Sequence, residues 1–132
     1  GYFDAIVSNP PFFVNSLKSK GDSRTMARHT DTLSFAELLR WVSFLLREQG
    51  TFSCIIPSEV LNDFLSESYI CGLLLMHHVA IKTVENKIAK RHLLCLVKGP
   101  CEEEKYEEQV LKDAEGKPSL WYDEITKAFY LW

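Results

Sequence analysis

Asn9-Pro10-Pro11-Phe12 is the stretch of this chain whose residue types and order could do chemistry. It follows Tyr2-Phe3-Asp4-Ala5-Ile6-Val7-Ser8, a short apolar run that reads as a β-strand. In open α/β sheets, ligands collect beyond the carboxyl ends of the strands, where this tetrapeptide falls. Two successive prolines cannot extend a sheet, because each lacks an N–H and fixes φ at about −65°. They make a stiff loop with unpaired carbonyls. An amide side chain, a rigid carbonyl and an aromatic ring at a strand end form a small pocket for a planar amine. The same residues would also serve as a plain Pro-Pro turn with an Asn cap.

The pocket suits methyl transfer to an exocyclic amino group. The lone pair of an adenine N6 amine is delocalised into the ring, which makes it a poor nucleophile. Two acceptors aimed at its N–H bonds, Asn9 Oδ1 and the Pro10 carbonyl, would favour the tetrahedral, attacking geometry. That is positional and electrostatic catalysis, with groups held where charge develops. Phe12 could stack on the base face, as enzymes acting on extruded bases require. No separate general base is needed before attack.

The elements that must hold this pocket alternate strand and helix. After the strand at 2–8 comes a polar stretch, 13–32, longer than an ordinary connection and so a candidate functional loop. Ser34-Phe35-Ala36-Glu37 is a capping box, with Leu33 and Leu38 as a hydrophobic staple. Phe35, Leu38, Leu39, Val42, Leu45 and Leu46 mark one face of a helix, closed by Arg47 and Gly50. Thr51–Ile56 reads as a buried strand ending at Pro57. Ser58 is placed to cap a second helix with Val60, Leu61, Phe64 and Leu65 inward, stopping near Gly72. Two further strands are expected at about 74–84 and 92–98, an extra one at 105–112, and a terminal helix or segment over 122–131. This order predicts an α/β fold with a parallel sheet in a single domain over 1–132.

The motif and its surroundings resemble a known family. Asp4-Ala5-Ile6-Val7-Ser8-Asn9-Pro10-Pro11-Phe12 is similar to the amino-methylating signature of S-adenosylmethionine-dependent methyltransferases, shared by N6-adenine, guanine-N2 and protein-glutamine enzymes. Ala27-Arg28-His29-Thr30-Asp31-Thr32-Leu33-Ser34, Gly50-Thr51-Phe52-Ser53-Cys54-Ile55-Ile56-Pro57 and Ala128-Phe129-Tyr130-Leu131 resemble the bacterial tRNA1(Val) adenine-N6 methyltransferase family. The resemblance implies the carboxy-terminal half of a Rossmann-like methyltransferase fold, with the last core strand antiparallel and inserted between its neighbours. It implies methylation of the adenosine 3′ of the anticodon, with Asn9, Pro10, Pro11 and Phe12 catalytic and Asn9 also against the cofactor. The alternatives are rRNA guanine, DNA adenine or protein glutamine as substrate, or an inert α/β interaction fragment.

Family members bind S-adenosylmethionine through a glycine-rich loop upstream of the motif. The six glycines of this sequence are scattered, with no G-x-G. The expectation is therefore a catalytic domain without most of its cofactor-binding half. Such a chain would bind S-adenosylmethionine weakly or not at all, be inactive alone, and self-associate as a homodimer through the exposed strand Tyr2–Ser8.

Composition bounds the remaining classes. At 46% apolar the chain can build a real core, and no apolar run is long enough for a membrane span. Cys54, Cys71, Cys95 and Cys101 show no C-x-x-C spacing and read as structural, with no metal, in a cytoplasmic protein. Net charge is −3, but residues 98–132 hold five Lys/Arg against nine Asp/Glu. Basic residues cluster instead at Lys18, Lys20, Arg24 and Arg28, just after the motif, and at Lys87, Lys90, Arg91 and His92. Basic loops beside a base pocket are what contact with tRNA phosphates requires; solvated surface loops would look the same. His77 and His78 are neighbours in a strand, point to opposite faces, and make a poor metal pair. Ser8 and Ser58 have no His or Asp at a spacing that suggests a hydrolase. Trp41 reads as core, and Trp121 and Trp132 as anchors of the terminal segment.

Overall fold

A computed structural model describes residues 1–10 and 34–127. Five strands form one sheet: β1 (Phe3–Ser8), β2 (Leu46–Pro57), β3 (Leu73–Lys82), β4 (Arg91–Lys98) and β5 (Lys105–Val110). Their order across the sheet is β1-β2-β4-β3-β5. β1 runs parallel to β2 and β5 parallel to β3, while β4 is antiparallel to both its neighbours. The inserted antiparallel strand is thus the one expected. Because β4 alone is reversed, the carboxyl ends of β1, β2, β3 and β5 and the start of β4 share one end of the sheet.

Two helices cover one face. α1 (Phe35–Leu45) begins at the expected cap: the Ser34 Oγ accepts from the Glu37 N–H at 3.2 Å. Its Leu39 and Val42 pack with Phe64 of α2 (Leu61–Ile70) over Phe52, Cys54, Ile56, Leu94 and Leu96 of the sheet. A short helix, α3 (Leu120–Thr126), follows β5, with the Ser119 Oγ accepting from the Tyr122 N–H. Phe64 is fully buried, so Phe64→Ala would cost about 3–5 kcal/mol.

The structure corrects three sequence expectations here. α1 ends at Leu45 rather than at Arg47 and Gly50, because Leu46 is already extended and opens β2. The Lys98 ammonium donates to the Ser43 and Leu46 carbonyls at 2.6 and 2.8 Å and satisfies that helix end from across the sheet. Gly50 serves a close approach instead, since a Cβ there would lie 2.8 Å from the Arg47 carbonyl and 3.1 Å from that of Phe3. Ser58 does not cap α2: a 3-10 turn, Ser58–Val60, precedes it, and Val60 holds the cap position with no side-chain bond. Trp41 is not core. It is 59% exposed and meets the equally exposed Phe44 edge-on. The expected stop at Gly72 holds, with φ at +78°, a region that glycine enters without strain.

Candidate active site

β1 delivers Asn9 and Pro10 to the shared end of the sheet by pairing in register with β2, Ser8 lying opposite Cys54. Proline at position 10 then stops the ladder. Asn9 is exposed and Pro10 half-buried. They line a cleft of about 140 Å³ with Ile55, Pro57 and Arg91. Pro57 ends β2 and pairs with Arg91 at the start of β4. The cleft thus holds an amide, proline carbonyls, an apolar wall and a guanidinium, which together suit a planar, amine-bearing group attached to an anionic backbone.

Of the expected catalytic residues, Asn9 and Pro10 are placed, and Pro11 and Phe12 lie outside the described residues. The first basic cluster, Lys18, Lys20, Arg24 and Arg28, also lies outside them. The second is divided. Lys87, Lys90 and Arg91 are exposed on the β3–β4 connection, and Arg91 reaches the cleft. His92 is a correction: it is only 7% exposed, on the opposite face of β4, and contributes nothing to a surface patch.

His92 belongs to a network that sequence reasoning missed, and with it Ser58 does have a histidine partner. The Ser58 hydroxyl donates to the Ala89 carbonyl at 2.6 Å and lies 2.8 Å from His92 Nε2. His92 Nδ1 is 2.8 Å from His78 Nε2. The Ser58 N–H donates to the Lys90 carbonyl at 3.0 Å. Burial holds both imidazoles below the usual histidine range; for His92, the His78 ring adds to this, and for His78, Glu104 works against it. Among the described residues nothing acidic completes a nucleophilic triad on Ser58. Its proton is already committed to a carbonyl, so a hydrolase remains unsupported. No local spacing announces this network, since positions 58, 78 and 92 meet only through the β2–β4–β3 pairing.

His77 points to the other face and meets Glu107 at 3.1 Å. Its separation from His78 is as expected, and no cluster of metal-ligating side chains occurs among the described residues. All four cysteines are free thiols, and burial pushes that of Cys54 up to about 12. No described helix is long and apolar enough to cross a membrane.

The curated proteins to which this chain is similar are named methyltransferases. No family model matches it. It is 34% identical over 98% of its length to a Shewanella frigidimarina protein named tRNA1(Val) (adenine(37)-N6)-methyltransferase. It is 39% identical over 99% to the protein of that name from Shewanella sp. MR-7, and 38% over 98% to one from Bacteroides fragilis. The chain spans 54–56% of the length of these relatives. Among solved structures, it overlays an Agrobacterium tumefaciens protein assigned as an O-methyltransferase with a TM-score of 0.69 at 15% identity, covering 95% of this chain and 51% of that one. A Listeria monocytogenes protein assigned as a class I S-adenosylmethionine-dependent methyltransferase gives 0.51 at 13% identity, over 98% of this chain and 41% of that one. The sheet therefore shares the fold of these solved structures, and the chain is homologous to tRNA1(Val) (adenine(37)-N6)-methyltransferases over the residues it holds.

Proposed function

We propose that this homologue of the tRNA1(Val) (adenine(37)-N6)-methyltransferases is the base-binding part of a cytoplasmic, S-adenosylmethionine-dependent enzyme that methylates the N6 amine of an adenosine beside the tRNA anticodon. The observation that carries it is the cleft in which Asn9 and Pro10, at the end of β1, face Arg91. Asn9 Oδ1 and the Pro10 carbonyl accept from the two N6–H bonds and orient the lone pair outward. The Phe12 ring, in this reading, stacks on the base. Arg91, Lys90 and Lys87 take the phosphates that flank it, joined by Lys18, Lys20, Arg24 and Arg28. The cofactor supplies an electrophilic methyl group. In this reading Asn9 is the residue against which that group arrives, and the chain spans 54–56% of the length of its relatives. The domain is accordingly partial, and the chain by itself binds cofactor weakly and turns over little or nothing.

Among the described residues β1 pairs on one side only, and Tyr2, Phe3 and Val7 are 86%, 50% and 80% exposed. An apolar edge of this kind supports self-association of the chain as a two-fold dimer through β1.

The test is methylation by the full-length protein of unmodified tRNA, with rRNA, duplex DNA and a glutamine-bearing protein as competing substrates. Methyl-adenosine formed in the anticodon loop is the expected product; methyl-guanine, DNA product or methyl-glutamine would replace this reading. Replacing Lys18, Lys20, Arg24 and Arg28 with Ala should lower the salt slope of tRNA binding by ~0.7–0.9 for every phosphate that is no longer neutralised.

A further inference from the structure

We propose that Ser58, His92 and His78 form a positioning clamp that fixes the basic segment Lys87–Arg91 beside the Asn9–Pro10 cleft, so that RNA phosphates are held in register with the base. The inference rests on the tRNA reading above and deepens it. Ser58 stands where β2 ends, one residue beyond the Pro57 that lines the cleft. Its N–H grips the Lys90 carbonyl and its hydroxyl the Ala89 carbonyl. Two bonds from one residue therefore hold the chain just before Arg91 enters β4. The Lys90 N–H also bonds the Ile81 carbonyl and the Lys87 N–H that of Val84, so the hydroxyl of Ser58 adds the side-chain hold at Ala89, and losing it would leave more of the segment to be ordered on every encounter with RNA.

The clamp has a direction that can be deduced. A serine hydroxyl has one proton, and Ser58 gives it to Ala89 over 2.6 Å. The Ser58 oxygen must then accept from His92, so His92 carries its proton on Nε2. His92 Nδ1 is left as an acceptor and must be served by an Nε2–H of His78. His78 is held in turn by the Tyr106 ring, edge-on at 5.0 Å. Each step thus fixes the next one, from β5 through β3 and β4 to the end of β2 and the basic segment.

The experiment combines ring nitrogen-15 spectra of the wild-type protein with binding of an unmodified anticodon stem-loop RNA followed by fluorescence anisotropy. At mildly alkaline pH, His78 and His92 are both expected as neutral Nε2–H tautomers, and a His92 Nδ1–H tautomer overturns the clamp whatever the variants do. Ser58→Ala should weaken RNA binding by about three- to tenfold and lower the salt slope by ~0.7 for each phosphate set free, and Ser58→Thr should restore both. A fully folded Ser58→Ala with unchanged affinity and slope also overturns the clamp. If Lys87, Lys90 and Arg91 replaced together by Ala then still lose affinity, the tRNA reading stands without it. If that triple variant binds as wild type, RNA does not use this segment and the clamp falls, while Asn9→Ala still tests methyl transfer separately.

Discussion

The two edges of the sheet are built to opposite rules. β5 presents Lys105, Tyr106, Glu107 and Glu108, and its inward neighbour His77 pairs with Glu107. Charges of both signs along an edge hinder pairing with another chain, because each would have to be desolvated or matched. β1, at the other edge, offers Phe3, Ala5, Ile6 and Val7, with Asp4 as its one charge. Asp4 is spent on Arg47 of β2, 2.9 Å away. β5 thus carries charged guards along its length, and β1 carries almost none. The proposed chemistry also lies at the end of β1, since Asn9 continues directly from it. A functional strand end must leave its terminal groups open to substrate, which conflicts with guarding the edge.

The largest expected difference between the edges is catalytic. In the full-length protein, Asn9→Ala should lower methyl transfer by roughly two to three orders of magnitude, the usual effect of losing one hydrogen bond made in the transition state. Lys105→Ala on β5 should leave turnover within about twofold. Single-turnover rates on unmodified tRNA measure both. Near wild-type turnover from Asn9→Ala would remove the distinction between the edges as far as chemistry goes.

The next effect is on association. Val7→Lys gives β1 the kind of guard that β5 already has, and should shift the chain from dimer to monomer in light scattering over a wide concentration range. Lys105→Val makes the reverse change on β5 and should promote association there. A chain that is monomeric before either substitution would show that β1 is not the adhesive edge.

How much of this could be read from sequence depends on whether local or long-range pairing sets a feature. The Ser34 cap, the strand leading into Asn9 and the Gly72 stop are local, and each sits where its residues indicated. The end of α1 was misread because its carbonyls are satisfied by Lys98, more than fifty positions on, rather than by a glycine. Trp41 was misread because helical spacing gives a face and not what lies against it. Ser58 and His92 were missed for the same reason as the α1 end: antiparallel pairing joins them, and no spacing rule encodes it. Asn9 and Pro10 of the cleft were legible from their motif and Arg91 from its basic cluster, but that Arg91 reaches the cleft follows only from its register opposite Pro57.

A smaller effect separates the β3–β4–β5 side from β1 by pH. Burial lowers the pKa values of His92 and His78 from the ordinary 6.5. The unfolded chain therefore binds protons more readily than the folded one in the interval just below pH 6.5. Stability from these groups is complete above about pH 6.5 and is lost as pH falls through the lowered folded values. Thermal melts across that interval should show the loss, and His92→Gln should flatten it. An unchanged pH profile in that variant would mean that other groups set the acid limit.

The smallest effect on stability sharpens the comparison most. The Asp4–Arg47 pair is exposed at both ends, with side chains 79% and 63% accessible. Such a pair contributes about 0.2–1 kcal/mol, because water screens it and two long side chains lose freedom to form it. Asp4→Asn should therefore barely move the melting temperature. It nevertheless removes the one charge on β1, so dimerisation should tighten several-fold, and the tightening should persist at high salt, where ion pairs weaken. A large loss of stability in Asp4→Asn with unchanged association would make Asp4 part of the fold. The two edges would then differ in sequence but not in purpose.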